Sequence, residues 1–174
     1  MNFVTRCALT ILFAFSAVVL GDAAQAAADI SKVNGSVKVE PGQQVGDVST
    51  VNGSVTIGAG ARAGEVETVN GSLKIEDKAV VGSAETVNGS ITQTGTAKGV
   101  ELQSVNGTID VTKASGRVQA EAVNGTVTVR DASGELEAST VNGKLHVTGG
   151  SFERVTLESV AGAVRFEGGL SARA

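Results

Sequence analysis

Val105-Asn106-Gly107-Thr108-Ile109-Asp110-Val111 is one copy of a motif that recurs through most of this 174-residue chain. Its core, Val-Asn-Gly followed by Ser, Thr or Lys, returns every 18 residues and starts at Val33, Val51, Val69, Val87, Val105, Val123 and Val141. A degraded copy, Val-Ala-Gly-Ala, starts at Val160, 19 residues after the last full motif. A fixed period of this length indicates an architecture of stacked, equivalent units.

Apolar and polar residues alternate within each repeat. If the motif valine is position 1, positions 5, 7 and 16 hold mostly Val, Ile, Leu and Ala, with Gln93 as a polar exception at position 7. This alternation is the signature of β-strands, and a single coil of strands cannot bury its apolar side unless neighbouring coils cover it. The sequence therefore predicts an all-β, single-domain β-solenoid of seven to eight 18-residue coils, with right-handed winding favoured.

The repeats are of two types. The N-terminal repeats divide into sixes, which suggests a three-sided coil, and the C-terminal repeats divide into nines, which suggests a flatter, two-sided coil. Both types close in 18 residues, so they can stack on one another. Near the C-terminus, one inserted residue brings Leu157 into the column of position 16.

The Asn-Gly pair at each corner predicts a tight turn, because both residues tolerate positive φ. Stacking would place the asparagines in one column, where each side-chain amide can donate to the amide oxygen of the next coil. The predicted structural ladder consists of Asn34, Asn52, Asn70, Asn88, Asn106, Asn124 and Asn142. The ladder would end at Ala161, where the motif loses its asparagine.

The N-terminus has the pattern of a secretory signal peptide. Arg6 precedes a 13-residue apolar run at 8–20, and Ala24-Gln25-Ala26 forms a small-x-small cleavage site. We therefore expect a signal peptide at 1–26, a solenoid domain at 27–169 and a disordered tail at 170–174. The mature chain would have no membrane span and would reside in the periplasm, in the medium or at the surface of a bacterium.

The sequence contains no recognisable catalytic constellation. His146 is the single histidine, and the expected mature chain has no cysteine, so His146 lacks the partners that a transition-metal site needs. The acids at position 17, Glu67, Glu85, Glu121 and Glu158, are interrupted by uncharged residues and are expected to form a solvated face. The net charge of −4 is spread without a basic stripe, so nucleic acid is not an expected partner. We expect no enzyme activity, cofactor site or metal site.

The repeated V-N-G-[ST]-[VIL]-x-[VI] units, with A-S-G-x-[LV]-x-A units at 114–120 and 132–138, carry a family resemblance. They resemble the bacterial adhesin-like β-strand-repeat family of exported proteins, and the first three coils are also similar to the polymer-forming bactofilins. The resemblance implies the repeat architecture and no catalytic motif. Together with the export signal, it leads us to expect an exported, non-catalytic structural or adhesin-like envelope protein whose partner in the envelope or at the surface is unknown, with polysaccharide as a candidate. The alternative is a carbohydrate-binding or carbohydrate-active β-helix protein.

The two ends of the predicted rod differ. Phe152 and Phe166 are expected to plug the C-terminal end of the core, because they are the two aromatic residues of the mature chain. The N-terminal edge, led by Val33, Val37 and Val39, would then be the less protected one. An unprotected strand edge can pair with another chain, which predicts weak end-to-end self-association.

Overall fold

The computed structural model describes residues 28–95 and 98–171, and the expected signal peptide at 1–26 lies outside them. All regular structure in these ranges is β, as predicted. The described residues therefore contain no helix long and apolar enough to cross a membrane. The strands are β1 (Ile30–Asn34), β2 (Val37–Val39), β3 (Val48–Asn52), β4 (Val55–Ile57), β5 (Arg62–Asn70), β6 (Leu73–Ile75), β7 (Val80–Thr94), β8 (Lys98–Thr112), β9 (Ser115–Arg130) and β10 (Ser133–Leu170).

Every strand pairing between these elements is parallel. The register is the 18-residue sequence period, with one shift between Lys98 and Val100 at the start of β8. Val37 lies opposite Val55, and Asn88 lies opposite Asn106, so equivalent residues 18 apart become neighbours. Six such steps separate Asn34 from Asn142. The chain is therefore a β-solenoid of stacked coils of about 18 residues, and its hand stays a prediction.

Two kinds of turn correspond to the two kinds of repeat. In the first three coils, positive φ occurs at position 10, at Gly42, Gly60 and Lys78. In the next four coils it moves to position 9, at Gly95, Lys113, Asp131 and Gly149. The early coils also have two separate strands each, whereas β7 to β10 run continuously around the Asn-Gly corner. The boundary between sixes and nines in the sequence thus marks a real change in coil geometry.

The core is a thin column of small aliphatic side chains, as the composition predicts. Columns 5, 7 and 16 point inward, and Ile57, Val66 and Ile109 are fully buried in them. Gln93 is also fully buried, where its Nε2 donates to the Gly95 carbonyl while its Oε1 has no partner among the described residues.

The C-terminal coil contains the predicted insertion. Gly162 lies against Gly143 and Gly168 against Gly149, so the spacing between coils becomes 19 residues here. Phe152 is 1% exposed, and its ring centroid lies 6.0 Å from that of Phe166, which confirms that the two rings pack together in this coil. Leu170 belongs to β10, one residue past the expected end of the solenoid, and 172–174 lie outside the described residues.

Val37 and Val39 point inward, as expected from their positions 5 and 7, and are only 3% and 0% exposed. β1 and β2 end the strand order of the described sheet, so the N-terminal strand edge has no partner among the described residues, and self-association through it stays a prediction. Of the three valines assigned to that edge, Val33 alone is exposed. Position 33 is a corner position of the motif, whereas positions 37 and 39 belong to the columns that fill the core.

Candidate functional site: the Asn-Gly corner and an acidic cluster

The seven motif asparagines lie in one exposed column along the solenoid. From Asn52 onward, each Nδ2 donates to the Oδ1 of the asparagine one coil earlier, and the six N···O distances are 3.0–3.2 Å. The bonds link Asn34, Asn52, Asn70, Asn88, Asn106, Asn124 and Asn142 in order. All seven side chains are exposed, so the array is also a surface. Because an amide nitrogen carries two protons, each asparagine that donates in the ladder keeps one further N–H for a partner.

The glycine that follows each asparagine is required for a reason that the sequence did not show. We expected positive φ at these turns, but Gly35 alone among the motif glycines of the full copies has it, at 114°. Instead, a Cβ added at a later motif glycine would lie far inside van der Waals contact with the carbonyl oxygen of the glycine one coil earlier. This close approach is present at Gly53, Gly71, Gly89, Gly107, Gly125, Gly143 and Gly162.

A buried column of hydroxyl residues supports the corner from inside, and our sequence reasoning missed it. Thr50, Thr68 and Thr86 are at most 3% exposed, and each donates to a motif-glycine carbonyl at 3.2–3.5 Å. Ser104 and Thr140 continue the column. The signal was a Ser or Thr directly before most of the Val-Asn-Gly motifs, at a position that the strand alternation assigns to the interior.

The ladder predicts that replacing an asparagine lowers the free energy of unfolding in proportion to the number of ladder bonds that are lost. Asn106→Ala removes two ladder bonds, whereas Asn142→Ala removes one, because Ala161 cannot continue the column. Each net bond is worth about 1 kcal/mol, so we expect losses of about 2 and about 1 kcal/mol in the free energy of unfolding. Urea denaturation of both variants measures this. Equal losses would show that the bonds between coils do not contribute.

Three carboxylates converge on one outer face of the early coils. Glu65 and Glu67 lie two residues apart on β5, and Glu67 lies opposite Glu85 of β7. Their carboxylate oxygens all lie within 4.8 Å of one another, and all three residues are half-buried. They form the one group of three metal-ligand side chains found in the described ranges, and the group contains no His or Cys. The expected solvated face is thus only half-exposed at Glu67 and Glu85, which lie opposite each other on neighbouring coils.

Burial raises the pKa of the Glu67 carboxyl to about 7, and the negative charges of Glu65, Glu85 and Asp47 add to the effect. Burial also raises the pKa of Glu121, with smaller contributions from Glu101 and Glu137. A raised pKa means that the folded chain holds a proton that the unfolded chain releases. Each of these groups therefore opposes folding at high pH.

This cluster predicts that stability falls as the pH rises from about 4.5 to about 7, the window between the ordinary pKa of glutamate and that of folded Glu67. Glu67→Gln removes this titration, so the variant should be more stable than the wild type above pH 7 and lose that advantage towards pH 4.5. Solvent screening limits the gain, because Glu67 is half-exposed. Thermal melts from pH 4 to pH 8 measure it, with Glu158→Gln as the exposed control from the same column. A profile for Glu67→Gln parallel to that of the wild type would contradict the prediction.

A polar groove runs across the turns of the last coils. It has a volume of about 540 Å³ and is lined by Gly116, Arg117, Ser133, Gly134, Glu135, Ser151, Glu153 and Ser171. Arg117 pairs with Glu137, and Arg154 pairs with Glu135 at 3.3 Å, so two charged pairs border the groove. His146 lies outside it, half-buried on β10 opposite Thr128. The groove thus presents hydroxyl and carboxylate groups without an aromatic platform.

Comparisons of the chain with protein-family models, with curated proteins and with solved structures each return no match.

Proposed function

We propose that this protein is an exported, non-catalytic structural or adhesin-like protein of the bacterial envelope. It would present the asparagine ladder as a repetitive binding surface to a partner in the envelope or at the cell surface. The observation that carries the proposal is the exposed column of seven hydrogen-bonded asparagines. The signal-peptide pattern at 1–26 supports export, and the family resemblance of the motifs supports the adhesin-like role.

The ladder is suited to a repetitive partner. Neighbouring strands lie about 4.8 Å apart, so seven asparagines span about 29 Å. Beside the ladder, position 4 adds hydroxyl groups, among which Ser90 donates to Ser72 at 3.2 Å. A polysaccharide offers hydroxyl groups at regular spacing, and amides and hydroxyls can both donate to and accept from them.

Two measurements test this proposal. Cells that express the full chain are fractionated, and we expect a mature protein that begins at Ala27 in the periplasm, in the medium or at the surface. Co-sedimentation with isolated envelope polysaccharide should then be weakened by Asn88→Ser and unaffected by Lys74→Ser, a change on a neighbouring outer column. Cytoplasmic retention of an uncleaved chain, or equal binding by both variants, would overturn the proposal.

The polar groove supports a second candidate, a carbohydrate-binding or carbohydrate-active protein. Glu153 and Glu135 both line it, and carboxylates are the groups that glycoside-cleaving enzymes use. Incubation of the protein with pectin, alginate and peptidoglycan fragments distinguishes this candidate from the first. Turnover that is lost in Glu153→Gln and retained in Glu158→Gln would favour it, whereas absence of turnover and of groove-dependent binding would exclude it.

A further inference from the structure

The last coil leaves apolar side chains uncovered. Val160 is 83% exposed, Val164 47% and Leu170 67%. Phe166 and Leu157, which belong to inward columns, are only partly buried against the core. The first coil differs, because its inward Val37 and Val39 are buried. Among the described residues, the C-terminal end is therefore the more apolar and open end of the solenoid.

The strand edge at this end also lacks the usual protection. Proteins guard exposed edges with lysine, proline or bulges. The first coil carries Lys32, Lys38 and Pro41, whereas residues 155–168 contain neither Lys nor Pro, and their charged residues are Glu158, Arg165 and Glu167. The last turn of β10 has the preceding coil on one side, and no described strand pairs with its other side. The outward-facing backbone N–H and C=O groups of this turn therefore have no strand partner among residues 28–95 and 98–171.

The charges on this edge indicate how a second copy would approach. Arg165 and Glu167 form an ion pair on the outer face, on either side of Phe166. In an antiparallel pairing centred on Phe166, Arg165 of one copy lies opposite Glu167 of the other. The two-fold symmetry places Glu167 of the first copy opposite Arg165 of the second. Head-to-tail stacking in the repeat register would instead place Arg165 beside Lys38 and Glu167 beside Glu40. Opposite charges stabilise a cross-strand pair, and like charges destabilise it.

We propose that two copies of this chain join through their last coils, with the strand around Phe166 paired antiparallel across a two-fold axis. The two Phe166 side chains meet at the axis, and Val164 of one copy faces Gly168 of the other. The interface is closed, because each copy uses the same edge, so assembly stops at two. The dimer is a rod of double length with both N-terminal ends outward. A partner that binds the asparagine ladder would therefore meet two copies of the ladder. This inference rests on the edge alone and not on the proposed function.

A charge-exchange experiment tests the arrangement with protein purified from cells that express the full chain. Sedimentation velocity over a concentration series should show the wild type saturating at a dimer. Glu167→Arg and Arg165→Glu each place like charges opposite one another, so each should weaken self-association about tenfold or more. An equimolar mixture of the two variants restores opposite charges at both contacts and should recover the wild-type dimer. Both substitutions are at exposed positions, and circular dichroism checks that the variants are folded.

Lys38→Glu is the control, because it alters the far end of the rod and should leave the dimer unchanged. A wild type that stays monomeric at all concentrations would overturn the proposal. So would single variants that dimerise like the wild type, or a mixture that stays monomeric. Growth beyond two copies that responds to Lys38→Glu would replace the closed dimer with head-to-tail stacking.

Discussion

Gly107→Ala is expected to lower the free energy of unfolding by about 3 kcal/mol or more, at the upper end of the range for overpacking. The new methyl group would overlap the carbonyl oxygen of Gly89, which belongs to the backbone of the preceding coil. A backbone atom cannot rotate away as a side chain can. The two coils would have to separate at this corner, which would also strain the ladder bond between Asn106 and Asn88.

Urea denaturation measures this loss against two controls. Thr108→Ala changes the exposed neighbour and should cost less than about 0.5 kcal/mol. Gly60→Ala has open space around it but keeps a φ of 69°, so it should cost about 1–2 kcal/mol through backbone strain alone. A Gly107→Ala variant as stable as Thr108→Ala would show that the coils do not approach as closely as the structure indicates.

Phe152→Ala is expected to cost about 3–5 kcal/mol, the usual range for truncation of a fully buried phenylalanine. Phe152 is the largest fully buried side chain among the described residues, and its ring packs against that of Phe166 in the last coil. The thin aliphatic column offers few long side chains that could move into the cavity. The loss should therefore lie nearer the upper end of the range.

Two comparisons make the test specific. Phe166→Ala should cost less, because Phe166 is only partly buried. Phe152→Leu keeps most of the volume and should cost about 1–2 kcal/mol. Equal losses for Phe152→Ala and Phe166→Ala would contradict the assignment of Phe152 as the buried residue of the pair.

The periodic features of this fold could be predicted from the sequence. Alternation at positions 5 and 7 identifies inward side chains such as Val55 and Ile57, because successive strand residues point to opposite faces. The 18-residue spacing gives the parallel register, and the 19-residue step to Val160 locates the insertion beside Phe152. These predictions succeed because stacking makes each contact a copy of its neighbour.

The remaining features depend on distances between coils, which one repeat does not contain. An Asn-Gly pair is typical of a turn with positive φ. At Gly107, however, the glycine is needed because the backbone of the preceding coil comes too close for a Cβ atom. Uncharged residues interrupt the acids of position 17, and the sequence column does not show that Glu65, at position 15 of the same strand, joins Glu67 and Glu85. Gln93 fills a core position with a polar side chain, and the alternation pattern cannot show which partner its amide finds.

Nuclear magnetic resonance of the folded protein tests the stacked-coil structure most directly. Side-chain amide protons of Asn106 should show Overhauser contacts to Asn88 and Asn124, because the three amides lie in one hydrogen-bonded column. Slow amide exchange should accompany these contacts at residues paired 18 apart, such as Ile91 with Ile109. Contacts between antiparallel neighbours a few residues apart in the sequence, with none between Asn88 and Asn106, would contradict the solenoid and everything inferred from its ladder.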